Sequence, residues 1–196
     1  MNNMQQLKDI QKVLKEQANP AALAAHKKFV PGAENIIGVR MPVLNLLAGQ
    51  FKDGGFELVN ALWKSGSLEE KTLAAKMLGK IARQDPEQAM HLVKGFSNEI
   101  EDWAVCDALG MQSLKPLIKT HTKEIFLLAG SLNKSKNFWQ RRLSLVLVEW
   151  YTRDPKLHPK INALVKTLEN DEAYYVKKAV AWIRRNMYPA VLKKGK

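Results

Sequence analysis

A chain of 196 residues with 31 Lys and Arg against 19 Asp and Glu carries a formal charge of +12 and a pI near 9.8, a field that favours polyanionic partners, chiefly nucleic acid and next an acidic membrane surface. Its single cysteine excludes an internal disulfide and suits a reducing compartment, and His26, His91, His121 and His158 lack ligand spacing, so neither a metal nor a cofactor is expected. No apolar run reads as a signal peptide or a bilayer span, which predicts a cytoplasmic protein, in contact with the nucleoid if the source is bacterial.

Leu7, Ile10, Val13 and Leu14 fall on one face of a helix over Met4 to Gln17. Asn19-Pro20 ends it and opens the next, Ala21 to Phe29. Residues 30–40 form the longest irregular stretch, before a helix that Pro42 opens. Gly54-Gly55 breaks the chain ahead of a helix from Phe56 to Lys64. Ser67 and Glu70 have the spacing of a capping box, which starts a long helix to about Arg83. Asp85-Pro86 begins another.

Residues 98–110 read as one short helix ending on Gly110, with Trp103 and Asp107 one turn apart on the same face. Pro116 kinks or restarts the segment that follows. A helix from Thr122 to Leu132, the basic tract 133–137, a helix from Phe138 to Thr152 and one from Asp154-Pro155 to about Glu169 come next. The last helix opens at Asn170-Asp171-Glu172, acidic residues at its positive end, and runs to about Met187. Pro189 stops it, leaving a basic tail, 189–196, that is expected to fray.

A repeat organises these elements. Lys71, Asp107, Arg142 and Lys178 are 36, 35 and 36 residues apart, and Ser67, Trp103, Phe138 and Tyr174, four residues earlier, keep the same intervals. A helical period in the thirties marks an α-solenoid, and 196 residues allow about five helical pairs in a single domain spanning 1–196. Equivalent positions then line one face as a row that reads basic, acidic, basic, basic.

Basic residues repeated once per unit suit a phosphate backbone, and interleaved tryptophans suit a base or sugar. Lys71, Arg141, Lys177 and Lys178, with Lys134 and Lys136 in the basic tract, are the expected DNA contacts. Packing and salt bridges between repeats are the competing use of such residues. Cys106 reads as a small core residue. Asp107 stands apart, because a carboxylate facing phosphates costs affinity unless it has an internal partner, such as Arg142, or a task. One task is stabilising positive charge on a substrate. A lone carboxylate argues against ordinary glycoside hydrolysis with its acid and base pair, yet suffices when the leaving group is already cationic, as in an N3- or N7-alkylated purine.

Residues 38–44 (Gly-Val-Arg-Met-Pro-Val-Leu), Trp103 to Asp107, Phe138 to Arg142 and Tyr175 to Trp182 together resemble the DNA alkylation repair family of HEAT-like-repeat glycosylases, the AlkD family, in order and at matching separations. The resemblance implies an all-α HEAT-like superhelix with a basic concave groove for duplex DNA. It also implies a monomeric, metal-free glycosylase that excises N3- and N7-alkylated purines without flipping the base, unlike most base-acting enzymes. It assigns Asp107 to stabilising the sugar cation and orienting water, Trp103 and Trp182 to flanking the deoxyribose, and Arg142 to holding the backbone. The chain departs from the family in ending soon after Trp182 and in lacking a clear lesion-side aromatic near the N-terminus, where His26 and Phe29 lie. Two other readings remain: a non-catalytic binder of damaged or branched DNA, and a protein-interaction scaffold.

Overall fold

The computed structural model describes residues 2–188. The basic tail at 189–196, with the expected stop at Pro189, lies outside them. Short polar side chains start most helices at the positions the sequence marks. Asn2 caps α1 (Asn3–Glu16), and Asn19 accepts from the amides of Ala21 and Ala22 to start α2 (Pro20–Phe29). Pro42 occupies the first turn of α3 (Met41–Gln50), and α4 (Gly55–Ser65) follows a short 3-10 turn. The Ser67–Glu70 capping box opens α5 (Leu68–Ile81), with both reciprocal hydrogen bonds made. Asp85 caps α6 (Pro86–Phe96), and Asp102 caps α7 (Trp103–Gln112). Then come α8 (Thr122–Asn133), α9 (Phe138–Val146), α10 (His158–Thr167) and α11 (Tyr174–Met187).

The helices stack in two layers. One layer runs α3, α5, α7, α9, α11, each packed on the next, and the other runs α1, α4, α6, α8, α10. Close pairing of α4 with α5 and of α8 with α9 joins the layers across one continuous apolar core. This is the all-α helical-repeat solenoid that the sequence period predicts. Trp103, Phe138 and Tyr174 are each the first residue of a helix in the first layer, and Ser67 is the N-cap of another. Trp63 of α4 stacks on Phe96 of α6 with ring centres 4.3 Å apart and planes within 5°, which pins the second layer.

Four helices have boundaries that differ from expectation. The α7 helix starts at Trp103, after a separate 3-10 turn at Ser97–Glu99, and continues past Gly110 to Gln112. Gly110 therefore caps nothing. A Cβ there would lie 2.6 Å from Val146 Cγ1, so the glycine is what lets α7 and α9 approach. The α9 helix gives way after Val146, and a 3-10 stretch at Glu149–Arg153 turns Trp150 so that its indole N–H donates to the Met111 carbonyl at 3.0 Å.

Pro155 starts only a 3-10 turn, because Pro159 offers no N–H to the carbonyl four residues back and its ring would strike it. The α10 helix begins instead at His158, with Pro159 in its first turn. The last helix starts at Tyr174 rather than at Asn170, because Asp171 is engaged by Arg141 and by the amide of Ala173. No helix of the described residues is long and apolar enough to cross a membrane.

Candidate active site

The α7 N-terminus sets the site. Asp102 accepts from the amide of Val105 at 2.8 Å, fixing the first turn, and Trp103 projects from it with Nε1 donating to the Phe29 carbonyl at 3.0 Å. That bond ties the indole to the C-terminal end of α2. One turn further along, Asp107 meets Arg142 of α9. Arg142 Nε donates to Asp107 Oδ1 at 3.1 Å, and Nη2 donates to both carboxylate oxygens at 2.9 Å. The remaining nitrogen, Nη1, donates to the Tyr175 carbonyl of α11 at 2.8 Å. One guanidinium thus spans three successive helices of the layer, with its carbon 6.0 Å from the Tyr175 ring centre.

The Asp107 side chain is both partnered and open: 26% of its surface remains accessible, against 8% for Arg142. Asp107 borders a cavity of about 420 Å³ whose walls include Phe29, Met41, Leu44, Trp103 and Met111. Burial raises the Asp107 carboxyl above its ordinary range, against the opposing pull of the Arg142 charge and hydrogen bonds. Next to it, Cys106 is fully buried, and burial with the Asp107 charge pushes its thiol well up, which keeps it protonated and inert.

Glu69 is the residue that sequence reasoning missed. It is completely buried, and its carboxylate accepts from the amides of Ile37 at 2.9 Å, Gly38 at 2.7 Å and Val39 at 3.1 Å, with His26 Nδ1 at 3.3 Å. These bonds lash the irregular 36–40 segment to α5 and set Val39 and Met41 against the cavity. Gly38 makes this possible: its φ is 91°, and a Cβ would lie 2.7 Å from Leu23 Cβ. The signal available was the position of Glu69 four residues before Leu73, on the interior stripe of a mostly buried helix.

The structure sorts the other expected contacts. Asp107, Arg142 and Trp103 come together. Trp182 is half-buried on α11, two turns past Tyr175, and does not line the cavity. Lys71 is not a surface cation: it is buried over the Trp63 ring, with Nζ donating to the Glu99 carbonyl at 3.0 Å and lying 3.5 Å from Glu101. Arg141 is likewise committed, with two nitrogens on Asp171 and Nη1 on the Ser135 and Lys136 carbonyls. Lys134, Lys136, Lys177 and Lys178 are exposed. The row of equivalent positions therefore offers phosphates one open cation, Lys178, in place of three. Among the described residues no three His, Cys, Asp or Glu side chains converge as a metal site.

A helical solenoid whose repeats bring one arginine-held carboxylate to the edge of an apolar cavity is a helical-repeat protein with a site for charge stabilisation. The model of the DNA alkylation repair enzyme family matches residues 10–189, and the chain belongs to that family. Its role is therefore in DNA repair, with DNA as the molecule acted on. A search of curated proteins gives no match.

Proposed function

We propose that this protein is a monofunctional DNA glycosylase that hydrolyses the N-glycosidic bond of cationic N3- and N7-alkylated purines in duplex DNA, as a single-domain monomer and without flipping the base. The observation that carries the reading is that the Asp107 side chain, held by Arg142, stays partly accessible at a cavity it shares with Trp103. An alkylated purine already bears the positive charge that protonation would supply, so the C1′–N bond breaks with its electron pair going to the base, which leaves neutral. The sugar is left as an oxocarbenium-like cation.

Asp107 stabilises that cation, and it orients the water that adds to C1′ and loses a proton. An ionised carboxylate has about four lone-pair sites. Arg142 donates to Asp107 three times, which leaves an edge for the sugar. Arg142 lowers the field of the carboxylate but removes its freedom to turn, and preorganisation of this kind is the larger part of electrostatic catalysis. Trp103 packs at the sugar, and Trp182 on α11 is the second aromatic assigned to flank it.

Release of 7-methylguanine from methylated duplex DNA tests the proposal. Asp107→Asn lowers the rate about 10²- to 10³-fold, while affinity for the duplex holds or rises because a charge repelling phosphate has gone. Excision at the wild-type rate by that variant would remove Asp107 from the mechanism. A non-catalytic DNA binder is the second reading, favoured by the engagement of both Asp107 oxygens with Arg142. A methylated duplex that binds but never loses its base would establish it.

A further inference from the structure

The first layer holds a second cleft, which the catalytic reading does not use. It is a cavity of about 510 Å³ between the C-terminal parts of α3, α5 and α7, and its walls carry Lys76, Lys80, Arg83 and Lys115 together with Asn45 and Gln112. No acidic residue lines it, and among the described residues none of the four cations pairs with a carboxylate. Their donors engage only neutral partners: Lys76 Nζ donates to Asn45 Oδ1 at 2.8 Å, Arg83 Nε donates to the Pro116 carbonyl at 3.3 Å, and Lys115 lies 4.6 Å over the Trp150 ring. Lys76 is held below its usual range by burial and by repulsion from Lys80 and Lys115. Four like charges around an open cleft repel one another, and an anion placed between them relieves that repulsion.

Lys76 and Gln112 also line the cavity at Asp107, so the two spaces adjoin along one face. Gln112 lies five residues beyond Asp107 on α7, about 7.5 Å along the helix axis, or about two nucleotide rises of one DNA strand. We propose that the Lys76–Lys80–Arg83–Lys115 cleft is a phosphodiester-binding site that grips the DNA backbone about two nucleotides from the sugar at Asp107. The proposal rests on the reading that duplex DNA lies along this face. It moves the principal grip from the repeat row, where Lys71 and Arg142 are internally committed, to Lys76 and Lys80 further along α5 and to Arg83 and Lys115 just past α5 and α7. These are positioning residues: they set where the strand lies and touch no reacting atom.

Affinity for an undamaged duplex, measured against salt concentration, tests this independently of excision. Lys80 and Lys115 are exposed, so Lys80→Gln/Lys115→Gln leaves the core untouched, and Lys8→Gln/Lys12→Gln on α1 removes the same charge from the other layer. The first pair is expected to reduce the slope of log affinity against log salt by about 2, the second to leave it unchanged.

Equal slopes for the two pairs would show only diffuse attraction and overturn the proposal. So would an unchanged duplex slope accompanied by loss of inorganic phosphate binding, which would mark a site for small anions. Should wild type release no base while the Lys80/Lys115 slope still falls, the cleft stands and the glycosylase reading fails.

Discussion

Arg142 Nη2 lies 2.9 Å from each oxygen of Asp107, and Nη1 of the same guanidinium reaches the Tyr175 carbonyl at 2.8 Å. The orientation of the carboxylate is thus set jointly by α7, α9 and α11, and its displacement requires the layer to shift.

Arg142→Lys keeps the charge but cannot hold two carboxylate oxygens and a carbonyl at once. Misplacing the carboxylate is expected to lower the single-turnover excision rate about a hundredfold. Duplex affinity, measured on the same preparation, stays within a few-fold of wild type. A variant with an unchanged rate would show that orientation of Asp107 by the fork is dispensable.

The acid limb of the activity profile should lie above the range of an ordinary carboxylate, because burial raises the Asp107 carboxyl more than Arg142 lowers it and only the ionised form stabilises the sugar cation. Activity is lost as pH falls through that raised value, and the limb disappears from the residual activity of Asp107→Asn.

Stability runs the other way for this residue. A carboxyl raised on folding contributes stability below its unfolded pKa and loses it as pH rises through the folded one. Asp171 has the opposite sign. Burial opposes its charge, but hydrogen bonds from Arg141 and the Ala173 amide with the Arg141 charge bring it below the ordinary value, so its contribution is present above the unfolded pKa and lost as pH falls through the folded one. Denaturant titrations of Asp107→Asn and Asp171→Asn across the acid range should show these opposite slopes relative to wild type.

Glu69→Gln leaves at least one of three backbone amides without an acceptor and sets a buried NH2 group against them. A loss of about 3 kcal/mol is expected, read from chemical denaturation followed by helical circular dichroism. Excision falls with it, since Met41 and Val39 lose the anchor that sets them at the cavity. A fully stable variant would mean that the 36–40 segment is held by its apolar contacts alone.

Gly110→Ala gains helix propensity of about 1 kcal/mol but drives a methyl into Val146, an overlap that costs about 2 kcal/mol, for a net loss of about 1 kcal/mol. Because the crowding is local, Val146→Ala in the same chain should relieve it in part, removing the Cγ1 contact while Val146 Cβ stays 2.8 Å from the new methyl, and a double-mutant cycle measures that coupling. Additive effects of the two substitutions would rule out the contact as the reason for glycine.

The sequence alone determined the helical class, the repeat and most helix starts, because these rest on local chemistry: Asn19, Ser67 and Asp85 satisfy amides within their own first turn, and apolar spacing decides which stripe of a helix turns inward. The interval from Asp107 to Arg142 was legible too, since equivalent positions of stacked units must be neighbours. What only the tertiary structure decided was the fate of each charge. Lys71 and Lys178 occupy the same register, yet the Glu99 carbonyl and the Trp63 ring draw the first inward while the second stays in water. Glu69 drew no role from the sequence and proved to be the buried anchor of a distant loop. Helical spacing specifies the direction in which a side chain leaves its own helix, but the groups that meet it there come from residues about 30 positions away, and their arrival depends on how the whole stack is packed.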